Sequence, residues 1–93
     1  MNDWIVMTTD SCMSCKQLIK FMEGKSLNYR VKYHQSRFHE SDPEFFEMMG
    51  VMQVPALVKV TRNRGFEEYK IVGIGFDACL RHIHSLDKGD EEE

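Results

Sequence analysis

Cys12 and Cys15 are the residues whose type and spacing point to chemistry. They enclose Met13 and Ser14, between a short apolar run, Trp4-Ile5-Val6-Met7, and a helix-patterned segment that begins at Cys15. Thiol–disulfide exchange is carried by the thiolate. A helix N-terminus offers free N–H groups and a partial positive charge, and in a Cys-X-X-Cys pair the attacking thiol's pKa can fall from ~8.5 into the range ~3.5–7.5. Two intervening residues let the second sulfur reach the first and close a disulfide. Position assigns the roles. Cys12 precedes the first helical turn, is expected to be exposed and reads as the nucleophile. Cys15 lies inside that turn, is expected to be buried and reads as the resolving thiol.

Two other readings of the pair carry less weight. A structural zinc site needs a second pair of ligands. His82 and His84 are two apart and so point to different helix faces, while His34 and His39 fall in a strand and a loop without ligand spacing. We therefore expect no metal. Two unrelated buried cysteines fit the strand-to-helix placement poorly. The third cysteine, Cys79, sits on the apolar face of the last helix and is expected to be a buried, inert thiol.

Val54-Pro55 is the second signal. Proline just before a strand is permitted because it has no donor to lose from the ladder. A trans bond that merely starts the strand is the form physics alone favours. A cis bond would turn the chain sharply and leave the Val54 backbone beside the cysteines, free to pair with an extended substrate segment. Met13 directly follows the nucleophile and is expected to be exposed and to touch substrate. Seven methionines are many. Met48, Met49 and Met52 would suit a docking surface, but core packing is the simpler expectation for most of them, as it is for Tyr29, Tyr33, Phe45 and Phe46.

The positioning elements follow from the pattern. Trp4–Met7 has no polar face and reads as a central strand covered on both sides. Leu18, Ile19 and Met22 recur at helix spacing up to a stop at Gly24. Residues 27–34 alternate at strand period. Ser41-Asp42-Pro43-Glu44 reads as a helix start, with Ser41 as N-cap and Gly50 as the end. Ala56–Val60 is a third strand, Thr61–Gly65 a turn and Phe66–Val72 a fourth strand. Asp77 caps a last helix whose apolar face holds Cys79, Leu80, Ile83 and Leu86. The order is β-α-β-α-β-β-α. A strand–helix–strand opening implies a right-handed parallel crossover, and the short turn near Asn63 implies an antiparallel hairpin. The expected architecture is α/β, a mixed four-stranded sheet with three helices.

Composition bounds the rest. Ninety-three residues suffice for one domain. A net charge of −3 gives no electrostatic case for nucleic acid, and the Lys59, Arg62 and Arg64 group reads as a solvated hairpin end. No apolar stretch approaches the ~20 residues of a membrane span. No secretory signal is visible at the N-terminus. The odd cysteine count argues against a secreted disulfide scaffold. We expect a cytoplasmic monomer without nucleic-acid or membrane partners.

The chain resembles glutaredoxins over nearly its whole length. The likeness rests on the strand, the Cys-X-X-Cys pair and helix, Val54-Pro55 before strand three, and Gly75-Phe76-Asp77 opening the last helix. More narrowly it looks like the NrdH-redoxins, glutaredoxin-shaped electron donors of ribonucleotide reductase. Cys12-Met13-Ser14-Cys15 lacks the Pro-Tyr of glutaredoxins, and Gly50-Val51-Met52-Gln53-Val54-Pro55 is similar to that group's Gly-Phe-X-Gln-Val-Pro. The resemblance implies a minimal thioredoxin fold over residues 1–88, with 89–93 as an acidic tail. It implies a cis Pro55, backbone recognition of the partner by Val54, and a Gly75–Asp77 corner that helps hold a glutathione carboxylate. It also implies no bound cofactor, electrons from thioredoxin reductase or glutathione, and a protein disulfide substrate, with ribonucleotide reductase the first candidate. The chain departs from the pattern at Thr9, where glutaredoxins place a lysine, at Ile74-Gly75 in place of Gly-Gly, and in lacking the Trp-Ser-Gly-Phe-Arg-Pro segment. Without that lysine we expect thioredoxin reductase to be the better reductant. The competing expectations are a glutathione-dependent glutaredoxin acting on glutathione mixed disulfides and, in a different class, a redox-inactive or metal-holding module.

Overall fold

The computed structural model describes residues 3–87; the acidic tail expected at 89–93 lies outside the described residues. The elements are β1 (Asp3–Thr8), α1 (Met13–Gly24), β2 (Tyr29–Tyr33), α2 (Pro43–Met49), β3 (Ala56–Asn63), β4 (Phe66–Ile74) and α3 (Phe76–Asp87). The four strands form one sheet in the order β2-β1-β3-β4. β1 and β2 are parallel, with Val6 opposite Val31, and β1–β3 and β3–β4 are antiparallel. The element order and the mixed sheet expected from the sequence are both present.

Strand alternation sends side chains to two faces. Ile5 and Met7 of β1 join Ala56, Val58 and Val60 of β3 beneath Phe45 and Phe46 of α2. On the other face Trp4, Val6 and Leu57 meet Leu18 and Met22 of α1 and Cys79 and Ile83 of α3. All six residues of β1 are buried, which is why this strand shows no polar alternation.

Local chemistry sets the ends. Asp42, not Ser41, caps α2, accepting the Phe45 N–H at 3.2 Å. Pro43 occupies the first turn, so the cap falls on the residue before it. The Ser41 hydroxyl instead accepts the Ser36 N–H at 2.8 Å. α3 begins at Phe76, one residue before the expected cap, so Asp77 lies in its first turn. β3 and β4 run further toward each other than the sequence suggests. Arg64 and Gly65, with φ of 55° and 88°, make a two-residue turn, and Asn63 pairs directly with Phe66. Arg62 there is not simply solvated: it pairs with the buried Asp3 and, at 3.2 Å, with Glu67.

Candidate active site

β1 delivers the chain to one end of the sheet, where Thr9 to Ser11 turn it into α1. Cys12 is the N-cap of α1, with extended backbone, and its Sγ accepts the Cys15 N–H at 3.1 Å. The first turn contains no acidic residue, so the positive end of the helix faces the sulfur without a competing carboxylate. The Ser14 hydroxyl lies 3.5 Å from the same sulfur. Cys12 and Cys15 are joined as a disulfide with Cα atoms 5.2 Å apart, an ordinary separation for such a pair. Cys15 is fully buried and Cys12 partly exposed. That asymmetry is the one the sequence suggested, and it leaves Cys12 as the sulfur an outside molecule can approach.

The other expected site residues gather at the same end of the sheet. Met13 opens α1 with 69% of its surface exposed. The Val54–Pro55 bond is cis, the form implied by the resemblance. Pro55 is buried, and its carbonyl accepts the Gly75 N–H at 2.8 Å. Gly75, at φ 90°, makes the corner between β4 and α3, and Asp77 is exposed one residue into α3. Val54 lines a groove of about 350 Å³ together with Thr9, His34, Phe46, Val51 and Met52.

Several contributors were not foreseen. Ser14 was read only as a spacer. Asp10 accepts the Ser36 Oγ–H at 2.7 Å and the Arg37 N–H at 2.8 Å, which ties the 34–40 loop to the segment before Cys12. Those two bonds hold the Asp10 carboxyl below its usual range, the Arg37 N–H more than Ser36. An Asp followed by Ser-Arg some 26 residues later gives no local signal for this. The methionine expectation needs correction: Met49 packs against the core, but Met48 is 62% and Met52 99% exposed. They sit on the last turn of a seven-residue helix and on the loop after it, where the sheet has already been covered by Phe45 and Phe46.

Cys79 is buried, and burial pushes its thiol up to about 11. All four histidines pack against aromatic rings: His34 on Phe46, His39 on Tyr33, His82 on Trp4 and His84 on Phe21. Among the described residues no group of three or more His, Cys, Asp or Glu is arranged to hold a metal ion, and no helix is long and apolar enough to cross a membrane.

No family model matches the chain, and no curated protein matches it. Solved structures do. Trichomonas vaginalis thioredoxin superposes with a TM-score of 0.63 at 18% identity, over 96% of this chain and 79% of its own. Chlamydomonas reinhardtii thioredoxin f2 gives 0.60 at 12% identity, over 99% and 82%. Thioredoxin 1 from Thermosipho africanus TCF52B gives 0.50 at 13% identity, over 96% and 99%. At these identities the likeness is one of architecture, and with the element order and sheet described above it shows that the chain has the thioredoxin fold.

Proposed function

We propose that this protein is a dithiol–disulfide oxidoreductase that reduces protein disulfides, in the manner of a glutaredoxin-like electron donor. The observation that carries the reading is Cys12 at the N-cap of α1, partly exposed and bonded to the buried Cys15.

The chemistry balances as two exchanges. The Cys12 thiolate attacks one sulfur of the partner's disulfide. A Cys12–S bond forms, the partner's S–S bond breaks, and one partner thiolate leaves. The Cys15 thiolate then attacks Cys12 Sγ, forming the Cys12–Cys15 disulfide and releasing the second partner thiolate. Two electrons have passed to the partner, and an external reductant restores the dithiol. The Cys15 N–H and the Ser14 hydroxyl, both within hydrogen-bonding reach of Cys12 Sγ, favour the thiolate at the attacking position.

Thioredoxin reductase is proposed as the better reductant, glutathione as the slower one, and ribonucleotide reductase as a candidate acceptor. Support for this order comes from Thr9, which stands where glutaredoxins place a lysine, and from the groove beside it, whose lining includes neither lysine nor arginine; Lys16 lines the neighbouring cleft, where it faces Asp10. A reducing compartment such as the cytoplasm suits the chemistry.

The test is cysteine substitution with a protein disulfide substrate. Cys12→Ser abolishes turnover, while Cys15→Ser accumulates a covalent mixed disulfide. Iodoacetamide at mildly acidic pH labels Cys12 first in the reduced protein and leaves Cys79 unlabelled until unfolding. First labelling at Cys15 or Cys79 contradicts the role assignment. Parallel assays with NADPH and thioredoxin reductase, or with glutathione and glutathione reductase, decide the electron source.

A further inference from the structure

β4 is a strand that the fold leaves open on one side. The sheet order β2-β1-β3-β4 pairs it with β3, and among the described residues no strand pairs with its outer edge. It runs nine residues, Phe66–Ile74, and an edge of that length presents a row of N–H and C=O groups ready to accept another strand. Bulges are one way to spoil such an edge. Here the register shift at Leu57/Val58 falls beyond Ile71, so Phe66 to Ile71 keep regular register with Asn63 to Val58. Large apolar side chains also stay exposed along this strand: Phe66, Tyr69 and Ile74, by 73%, 36% and 44%.

The charges of β4 are of two kinds. Glu67 is engaged within the chain, by Arg30 at 3.4 Å, Arg62 at 3.2 Å and the Tyr69 hydroxyl at 2.8 Å. Glu68 and Lys70 are exposed, and among the described residues neither is in an ion pair. They lie two residues apart, so their side chains share one face of the strand with Phe66. That pattern complements itself. Let β4 pair antiparallel with a second β4 about a twofold axis normal to the sheet and passing at Tyr69. Glu68 of each copy then lies opposite Lys70 of the other, Tyr69 meets its own copy, and Phe66 lies opposite Val72 at both ends. Moving the axis one residue sets Glu68 against Glu68, or Lys70 against Lys70. Opposite charges and aromatic or β-branched pairs directly across strands stabilise a ladder, while like charges destabilise it. Of these three registers, the one centred on Tyr69 alone places no like charges together.

We infer that β4 is a homodimer interface, in which two copies of the chain join edge to edge, antiparallel about Tyr69, into one continuous sheet. This departs from the monomer expected from the sequence, and it does not depend on the function proposed above. Charge complementarity names the occupant as a second copy. A twofold contact must place each residue on a partner and that partner back on the residue, and Glu68 with Lys70 does so. The contact is small. A ladder of this length buries less than the ~1,600 Å² of a standard interface, so association belongs in the range of about 10 μM to 1 mM.

The experiment is analytical ultracentrifugation of the full-length protein, kept reduced so that no intermolecular disulfide forms, across about 10 μM to 1 mM. The average mass is expected to rise from one chain toward two. Lys70→Glu sets Glu68 against a new carboxylate at both positions, and Glu68→Lys sets Lys70 against a new ammonium. Each variant alone is expected to stay a single chain throughout. Mixed in equal amounts, the two restore opposite charges at both positions, and association is expected to return. The double variant Glu68→Lys with Lys70→Glu is expected to associate as the parent does. Lys20→Glu, an exposed site on α1 with the same change of charge, is expected to leave association unaltered. Far-UV circular dichroism and urea midpoints of the single variants should match the parent, and the recovery on mixing cannot arise from a misfolded chain. A parent that stays a single chain overturns the inference and leaves the edge to solvent or to a strand of another protein. A dimer that survives Lys70→Glu overturns it too, as do two single-chain variants whose mixture fails to associate.

Discussion

Gly73→Ala is expected to destabilise the protein through a contact the sequence does not advertise. Gly73 is buried near the end of β4. A Cβ added there would lie 2.9 Å from the Cys79 amide nitrogen, 3.0 Å from the Ala78 carbonyl carbon and 3.0 Å from the Cys79 Cα. All three are backbone atoms of α3, so no side chain can swing aside. Relief requires α3 to move off the sheet by roughly half an ångström, an overpacking error that costs about 1–3 kcal/mol. Loss of glycine's freedom in the unfolded chain offsets ~0.4–1 kcal/mol of this. The net expectation is about 1–2 kcal/mol of destabilisation, read as a lower urea midpoint at unchanged slope, or as a Tm lower by roughly 4–15 °C. Gly24→Ala is the control of opposite sign. It lies in α1, has no neighbour within 4 Å of an added Cβ, and is expected to gain ~0.5–1 kcal/mol from helix propensity. A Gly73→Ala protein as stable as the parent refutes the packing argument, as does a Gly24→Ala protein that loses as much. Because the Gly75 N–H holds the Pro55 carbonyl, disulfide turnover should fall along with stability in Gly73→Ala and stay unchanged in Gly24→Ala.

Two further outcomes are expected. Ser14→Ala removes one donor near Cys12 Sγ; at 3.5 Å to a part-buried sulfur the ~1 kcal/mol of an ordinary hydrogen bond applies rather than that of a charged one, so iodoacetamide alkylation of Cys12 at pH 6 should slow about fivefold, and an unchanged rate would remove Ser14 from the chemistry. Acid should weaken the fold through Asp10, Asp42 and Asp3, whose carboxyls lie below the ordinary aspartate value of 3.8 because of Arg37 and Ser36, of Lys32 and the Phe45 N–H, and of Arg62 and Asn28 respectively. Their folded values are depressed, so their contribution is present above pH ~4 and disappears as pH falls through the folded values; Asp10→Asn should flatten that loss in urea titrations between pH 5 and pH 2, and identical acid profiles would show that Asp10 does not contribute.

What was legible in the sequence was what local chemistry decides. The apolar run in β1, the helix spacing of Leu18 and Met22, the glycine of the Arg64-Gly65 turn and the placement of Cys12 before α1 all depend on residues within a few positions of one another. The fold class and the cysteine pair followed from them. Boundaries slipped by one where two capping residues were adjacent, as with Ser41 and Asp42, because Pro43 decides between them. Which methionines the fold leaves exposed was not legible. Met22 and Met48 look alike in sequence, yet one is fully buried beneath the sheet and the other largely exposed, since only the finished packing of α2 shows where the covered surface ends. Asp10 with Ser36, between the loops that follow β1 and β2, and Asp3 with Arg62, between β1 and β3, are long-range pairings that periodicity does not record.

The odd cysteine poses a problem that the same packing resolves. Cys79 lies beneath the loop that carries Val54 and Pro55, with its Sγ 3.8 Å from the Pro55 carbonyl and 3.5 Å from that of Gly73. In the proposed exchange chemistry a third thiol that could reach the pair would compete for it, giving a Cys12–Cys79 or Cys15–Cys79 bond and an inactive protein. Exchange requires thiolate. With its pKa pushed up to about 11, Cys79 at pH 7 is ionised to only about one part in 10⁴, and its complete burial keeps it from an outside disulfide. Cys12 has the opposite surroundings: a helix N-terminus, a backbone N–H at 3.1 Å and access to solvent. The close approach of α3 over Gly73 that buries Cys79 therefore also confines the proposed exchange to two of the three thiols.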